Sequence, residues 1–265
     1  MEIKGKDIDE VLSKTCFKLK NQRIIKPRGL ETKELIQQTL RILYPDKCIV
    51  TNLERHLSLQ YLGAEILWYL SGDKTTEKIE KYASMWRHLK GKNGEVNSNY
   101  GEIIFFQNLE NYNGSQFDWV ISSLKEDKNS RQAIINFNQP KHKKKGTLDF
   151  VCTETEQFLI RNNKLLQIVN MRSNDLIYGF CYDMPFFSLV QQKVLAKLKN
   201  RIYPNLELGE YIHTCGSLHI YQRHFQLLDD IVNEYARNQL PSQTLGNIQQ
   251  IKTTCKKWKN NLRNG

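Results

Sequence analysis

Cys152, Arg172, Asp175 and Asp183 bring a thiol, a guanidinium and two carboxylates into one stretch, DFVCTETEQFLIRNNKLLQIVNMRSNDLIYGFCYDMPFF, residues 149–187. Two runs of strand-forming residues flank an Arg-Asn-Asn-Lys turn, the pattern of a hairpin. The first run carries Cys152. The second ends in Arg172-Ser173-Asn174-Asp175, and a turn through Gly179 leads on to Asp183. All four groups therefore sit at or near the ends of paired strands. Cysteine is the side chain best suited to adding to an activated double bond and leaving again. A cation beside it lowers its pKa, and Arg172 is a candidate for that cation. The set suffices for covalent catalysis on an anionic substrate.

The rest of the chain must position this stretch. Residues 7–20 read as a helix with Ile8, Val11, Leu12 and Thr15 on one face. Residues 21–32 form a basic turn around Pro27 and Gly29, where Arg28 is either a solvated charge or a phosphate contact. The most apolar helix spans 56–71 and contains Glu65. A carboxylate in such a setting either turns to the wet face, the commoner case, or is buried for work. Residues 75–90 predict a charged helix ending near Trp86, and 91–102, rich in Gly and Asn, a loop carrying Tyr100. A helix over 116–126 and a strand beginning at Ser130 precede a basic loop at 139–146. Beyond the hairpin, 184–199 predict an amphipathic helix, 209–220 a strand and 221–235 a further helix. The tail from Leu240 is polar and basic. Without an internal repeat or a dividing linker, one α/β domain over residues 1–265 is the economical reading.

Composition sets the outer bounds. A chain of 265 residues, 40% of them apolar, can bury a sizeable core, which argues against disorder. The formal charge of +11 points to an acidic partner, a nucleic acid or a phosphorylated metabolite, or else to a basic solvated surface. Cysteines 16, 48, 152, 181, 215 and 255 fall in no CxxC or CxxH arrangement, so no zinc site is expected and free thiols are. No apolar run approaches the roughly 18 residues a membrane helix needs, and no apolar signal run opens the chain, so a soluble protein of a reducing compartment is expected.

The segments EILWYL (65–70), GEVNSNYG (94–101), NSRQ (129–132), DFVCT (149–153), NMRSNDLIYGF (170–180) and GSLHIYQRHF (216–225) follow one another in this order. Together they resemble the thymidylate synthase superfamily and, within it, the bacteriophage deoxycytidylate hydroxymethylases. The similarity runs from about Glu65 to Phe225. It implies a synthase-like fold, a large mixed β-sheet flanked by helices, and a homodimer in which two sheets pack face to face. It also implies 5,10-methylenetetrahydrofolate as cofactor and a pyrimidine nucleotide monophosphate as substrate. A thiolate adds to C6, C5 attacks the one-carbon unit, and the exocyclic methylene left after folate departs takes hydride in synthases or water in hydroxymethylases. The setting implied is a bacterial or phage-infected cytoplasm.

The resemblance carries roles onto matching positions. Cys152 matches the nucleophile, Glu65 the general acid/base and Tyr100 the tyrosine that assists proton removal at C5. Arg172 matches a phosphate ligand, and Ser173 a serine on the phosphate side. Arg131 matches the arginine lent by the other subunit, but Gln132 stands where most relatives have a second arginine. Arg28 is the candidate to compensate. His219 and Tyr221 match the pair that binds the sugar 3′-hydroxyl, Asp175 the carboxylate that holds the pterin, and Trp86 an aromatic packed on the cofactor. Asp183 stands where synthases have Asn. A carboxylate accepts from the 4-amino group of cytosine and disfavours the O4 of uracil. Val151-Cys152-Thr153 also departs from the synthases' Pro-Cys-His, and the C-terminus lacks their apolar closing segment, which excludes water. The residues leave open a methyl product, CMP as substrate, and a nucleic-acid-binding protein on a degenerate synthase fold. Nucleic acid is a possible partner, not a required one.

Overall fold

Alternating apolar residues pair into one large sheet, and its topology collects the chemistry of the hairpin at one end. The computed structural model describes residues 2–238 and 242–245. Its elements are β1 (Glu2–Gly5), α1 (Ile8–Lys20), β2 (Ile24–Ile25), β3 (Thr32–Ile42), β4 (Lys47–Ile49), α2 (Leu59–Ser71), α3 (Trp86–Leu89), α4 (Tyr100–Phe105), β5 (Asn108–Leu109), β6 (Tyr112–Ser115), α5 (Gln116–Glu126), β7 (Ile134–Asn136), β8 (Thr153–Arg161), β9 (Lys164–Asp175), α6 (Cys181–Arg201), β10 (Glu207–Tyr221), α7 (Leu227–Asn238) and β11 (Gln243–Thr244). The large sheet runs β1-β3-β10-β9-β8-β7, with β2 also on β3. The β1–β3 and β10–β9 pairs are parallel and the others antiparallel, so the sheet is mixed.

That topology has a positional consequence. Because β8 runs against β9, β10 runs with β9 and β3 runs against β10, the start of β8, the ends of β9 and β10 and the start of β3 meet at one end. The β8–β9 turn supports it locally. Asn162 and Asn163 both take left-handed φ, 48° and 60°, the mirror-image turn that matches the twist of paired strands. Phe158, Ile160, Leu165, Val169 and Met171 are buried on one face of the hairpin, and α6 packs against β9 and β10. Helix α6 contributes Phe186, Phe187, Val190, Val194 and Leu198 to the core.

Several elements differ from the sequence expectation. Residues 75–90 are not one helix. The segment holds a single turn at Ile79–Lys81 and the one-turn α3. Ile79 and Trp86 are the only fully buried apolar residues there, so short turns suffice to seat them and the charged residues have no packing to hold a helix. The strand expected from Ser130 begins at Ile134, because the Asp127 side chain accepts from Asn129 N and its carbonyl from Ser130 N, which closes a turn. Tyr221 ends β10, and the helix expected from it starts at Leu227. Tyr100 lies at the start of α4 with Asn99 as its cap, not in a loop. Helix α6 begins at Cys181 after a wide turn over Leu176–Phe180. Left-handed Gln37, φ 48°, breaks the alternation of β3. Of the expected basic tail, only Ser242 to Leu245 is described; Cys255 and the segment at issue for closing the site lie outside the described residues.

Glu156 looks solvent-facing in the sequence TETE but is fully buried on β8. It accepts from Gln167 Nε2, and its Oε2 has no partner among the described residues. Burial pushes its pKa from 4.5 to about 8. The folded state therefore keeps a proton that the unfolded chain has released, and stability falls as pH rises from 4.5 to about 8. The slope is about 1.4 kcal/mol per pH unit. Glu156→Gln is expected to flatten this loss and to melt above the wild type at pH 8.5. Thermal unfolding followed between pH 5 and 9 checks it, and parallel curves for the two proteins would refute it.

Candidate active site

The start of β8 and the end of β9 hold a thiol against a guanidinium. Cys152 immediately precedes β8, and its carbonyl accepts from Arg172 N at 2.9 Å. The Arg172 side chain folds back over the same segment. Its Nε donates to Val151 O at 3.0 Å, and its Nη2 donates to Phe150 O at 2.6 Å and lies 3.3 Å from Cys152 Sγ. The guanidinium also covers the Phe150 ring at 4.8 Å. Arg172 is thus held in place before any ligand arrives. It does not win the electrostatic contest that the sequence suggested. Burial raises the Cys152 pKa by more than Arg172 and Arg28 lower it, and Asp183 and Asp149 push the same way as burial. The resting group is a thiol, with Phe150 O within 3.9 Å of Sγ.

The other anion-binding candidates divide between this end and elsewhere. Arg28 is exposed in a left-handed conformation, φ 53°, followed by Gly29 at φ 81°. Its charge reaches the Cys152 thiol, so it belongs to the site end. Ser173 is half-buried in β9, in register with Ser217 of β10. His219 and Tyr221 lie two residues apart near the end of β10 and share a face. Their rings meet edge to face at 5.0 Å, and His219 is in register with Asp175. Arg131 is exposed, and its carbonyl accepts from Gln157 Nε2 midway along β8. Gln157 is five residues from Cys152, about 16 Å of strand, so Arg131 does not reach its own chain's thiol region.

Helices supply the remaining groups from the buried side. In α2, capped by Ser58, Glu65 is 5% exposed. It accepts from the Tyr61 hydroxyl one turn earlier, and that hydroxyl accepts from Trp86 Nε1 at 3.1 Å. Burial, reinforced by Asp183, raises the Glu65 pKa to about 8, so it is a neutral acid near pH 7. Tyr100 stacks on Tyr69 at 5.4 Å and on Phe187 at 5.6 Å. Its pKa is raised, first by burial and then by Asp183 and Cys152, which places all three groups together. Gly101 allows this approach: a Cβ there would lie 1.8 Å from Tyr69 O.

Asp183 is half-buried in the first turn of α6. Its Oδ2 accepts from Asn174 Nδ2 at 2.9 Å, and burial raises its pKa to about 7. Asp175 Oδ1 accepts from Ile177 N at 2.6 Å and Tyr178 N at 2.9 Å, capping the turn that leads to α6. Arg55, 4% exposed, braces the same turn by donating to Ile177 O at 2.6 Å. For a pterin, Asp175 offers an acceptor beside the half-exposed Tyr178 ring, a polar edge next to an aromatic face. Trp86 is buried with its indole N–H committed to Tyr61.

Sequence reasoning missed Tyr61, Asn174, His213 and Arg55. The i, i+4 spacing of Tyr61 and Glu65 on one apolar helix was a usable signal. For Arg55 and for the Asn174–His213 contact none existed, because those partners come from distant strands and turns. Among the described residues no cluster of His, Cys, Asp or Glu could hold a metal ion.

The arrangement combines a thiol beside a pinned cation, two carboxyl groups of raised pKa and the His219–Tyr221 ring pair at one sheet end. The chain matches the family model described as thymidylate synthase over residues 6–260. Over 182 residues it is 35% identical to the deoxycytidylate 5-hydroxymethyltransferases of Enterobacteria phages T4, T2 and T6, covering 65% of this chain and 71% of each relative. Its fold is similar to that of the thermostable thymidylate synthase A from Bacillus subtilis, with a TM-score of 0.64 at 21% identity, covering 85% of this chain and 84% of that one.

Proposed function

This chain belongs to the thymidylate synthase family, and from that premise we propose that it hydroxymethylates C5 of dCMP, using 5,10-methylenetetrahydrofolate and water. It is an enzyme of a family of one-carbon transferases. The observation that carries the choice of base is Asp183, held as an acceptor by Asn174. Its other oxygen is the group that meets the cytosine 4-amino group. The names of the phage relatives support the same substrate.

Each residue has a defined task in this reading. Cys152 Sγ bonds to C6 of the base, and Arg172 favours the thiolate that does so. Glu65, neutral at rest, exchanges protons with water at the pyrimidine. Tyr100 assists departure of the C5 proton. Arg172, Arg28 and Ser173 bind the phosphate, and His219 with Tyr221 bind the 3′-hydroxyl. The bound folate supplies the one-carbon unit as an electrophile. Asp175 and Trp86 are the residues we assign to hold it, Trp86 also steadying Glu65 through Tyr61. Arg131 completes the phosphate site of a second copy in a homodimer, which its distance from Cys152 along β8 supports. We read residues 1–265 as one catalytic domain working in a bacterial or phage-infected cytoplasm. No helix among the described residues is long and apolar enough to cross a membrane. The lysines at 141 and 143–145 are exposed and form no ion pair among the described residues, so nucleic acid is a compatible partner without being required.

The test is to incubate the protein with methylenetetrahydrofolate and, separately, dCMP, CMP and dUMP, and to weigh the products. A gain of CH₂O on dCMP is expected. A gain of CH₂ would make the enzyme a methyltransferase, product from CMP alone would move the substrate to the ribonucleotide, and turnover of dUMP but not dCMP would overturn the reading of Asp183.

A further inference from the structure

Asn174, His213 and Tyr211 form a buried polar file behind Asp183, and the chemistry above leaves His213 and Tyr211 unused. Asn174 Nδ2 donates to Asp183 and lies 3.3 Å from His213 Nε2, and His213 Nδ1 lies 2.8 Å from the Tyr211 hydroxyl. An amide nitrogen has only hydrogens to give. His213 Nε2 must therefore accept, the ring proton sits on Nδ1, and the Tyr211 oxygen receives it. Burial keeps the ring neutral, its pKa pushed down to about 3. Met171 Sδ, a weak acceptor, also faces Asn174 Nδ2 at 2.7 Å. The amide oxygen has no hydrogen-bond partner among the described residues. It rests against Gly179, where a Cβ would be 2.1 Å away. All the acceptors thus lie on the nitrogen side of the amide.

That orientation determines what Asp183 can offer a base. With the Asn174 amino group towards it, the carboxylate is an acceptor and suits a 4-amino group. With the amide turned over, an oxygen would face the carboxylate, an arrangement tolerable only for a protonated Asp183. A protonated Asp183 donates, which suits a 4-oxo group. We propose that His213 is a positioning residue for base discrimination: by accepting from Asn174 through Nε2, it keeps Asn174 donating to Asp183 and the site selective for a 4-aminopyrimidine nucleotide over its 4-oxo counterpart. This rests on the reading that Asp183 meets the 4-position of the base.

The experiment compares kcat/KM for dCMP and dUMP in the wild type, His213→Leu and His213→Gln. Leucine has no lone pair, and the dCMP/dUMP ratio is expected to fall about tenfold or more, the effect of losing one buried hydrogen bond. Glutamine places an oxygen near the Nε2 position and is expected to restore most of the ratio. A variant that only loosened the fold would lower both substrates together. An unchanged ratio in the leucine variant, or an equal loss in a folded glutamine variant, overturns the proposal. Should the leucine variant not fold, the wild type answers by itself. A two-bond ¹H–¹⁵N spectrum of ¹⁵N-histidine protein, assigned by the signal missing from His213→Gln, must show the Nδ1–H tautomer; the Nε2–H tautomer overturns the proposal. A wild type that prefers dUMP refutes the reading of Asp183 itself, and the inference falls with it, whatever the variants do.

Discussion

Cys152→Ser is expected to lower kcat by about a thousandfold or more, as loss of a covalent nucleophile does elsewhere. The hydroxyl is smaller than the thiol and its pKa lies far higher, so addition to C6 nearly stops. Binding should survive, because Arg172 is held mainly by the backbone oxygens of Phe150 and Val151, not by the sulfur. Steady-state kinetics with dCMP, together with mass spectrometry of the denatured protein for a nucleotide adduct, check both halves. Activity within tenfold of the wild type would mean that no Cys152 adduct is obligatory.

Asp183→Asn is expected to exchange the preferred substrate. Asn174 would still donate to the new amide oxygen, which turns the amide nitrogen of residue 183 towards the base. That group donates to O4 of uracil and opposes the 4-amino group of cytosine. Sites built on such hydrogen bonds discriminate by about 10⁴-fold, so kcat/KM for dCMP should fall by a hundredfold or more while that for dUMP rises. The wild type has a further signature. Both oxygens of Asp183, one for Asn174 and one for the base, are free to accept only when it is ionised, and burial places its pKa at about 7, so kcat/KM for dCMP should climb with pH through that value. Glu65, at about 8, is still largely protonated there. The climb through pH 7 should be missing in Asp183→Asn. An asparagine variant that keeps both dCMP preference and pH profile would remove Asp183 from base recognition.

Much of this site was legible because its chemistry sits on locally coded structure. The two asparagines at 162–163 make a turn that sets the β8–β9 register, which places Cys152 beside Arg172 as the residue order suggests. Glu65 stood out as a carboxylate in an apolar helix, and its raised pKa follows from that position. The charged segment at 75–90 misled because helix propensity is weak beside packing, and two buried apolar side chains, Ile79 and Trp86, decided its path. Glu156 and His213 gave no signal of their own. Polar residues on the buried face of a strand break no visible period when their neighbours are also polar or mixed.

The amino-acid order by itself determined the hairpin, the placing of Cys152 near Arg172 at its open end and the apolar helix around Glu65. Each of these rests on turn chemistry or periodicity within a few residues. Tertiary structure alone decided that burial outweighs Arg172 at the thiol, that Tyr61 and Trp86 hold Glu65, and that Asn174 and His213 orient Asp183. Desolvation depends on everything packed around a group, and a hydrogen bond between Asn174 and His213 spans 39 residues of chain. Neither quantity exists until strands distant in sequence have become neighbours.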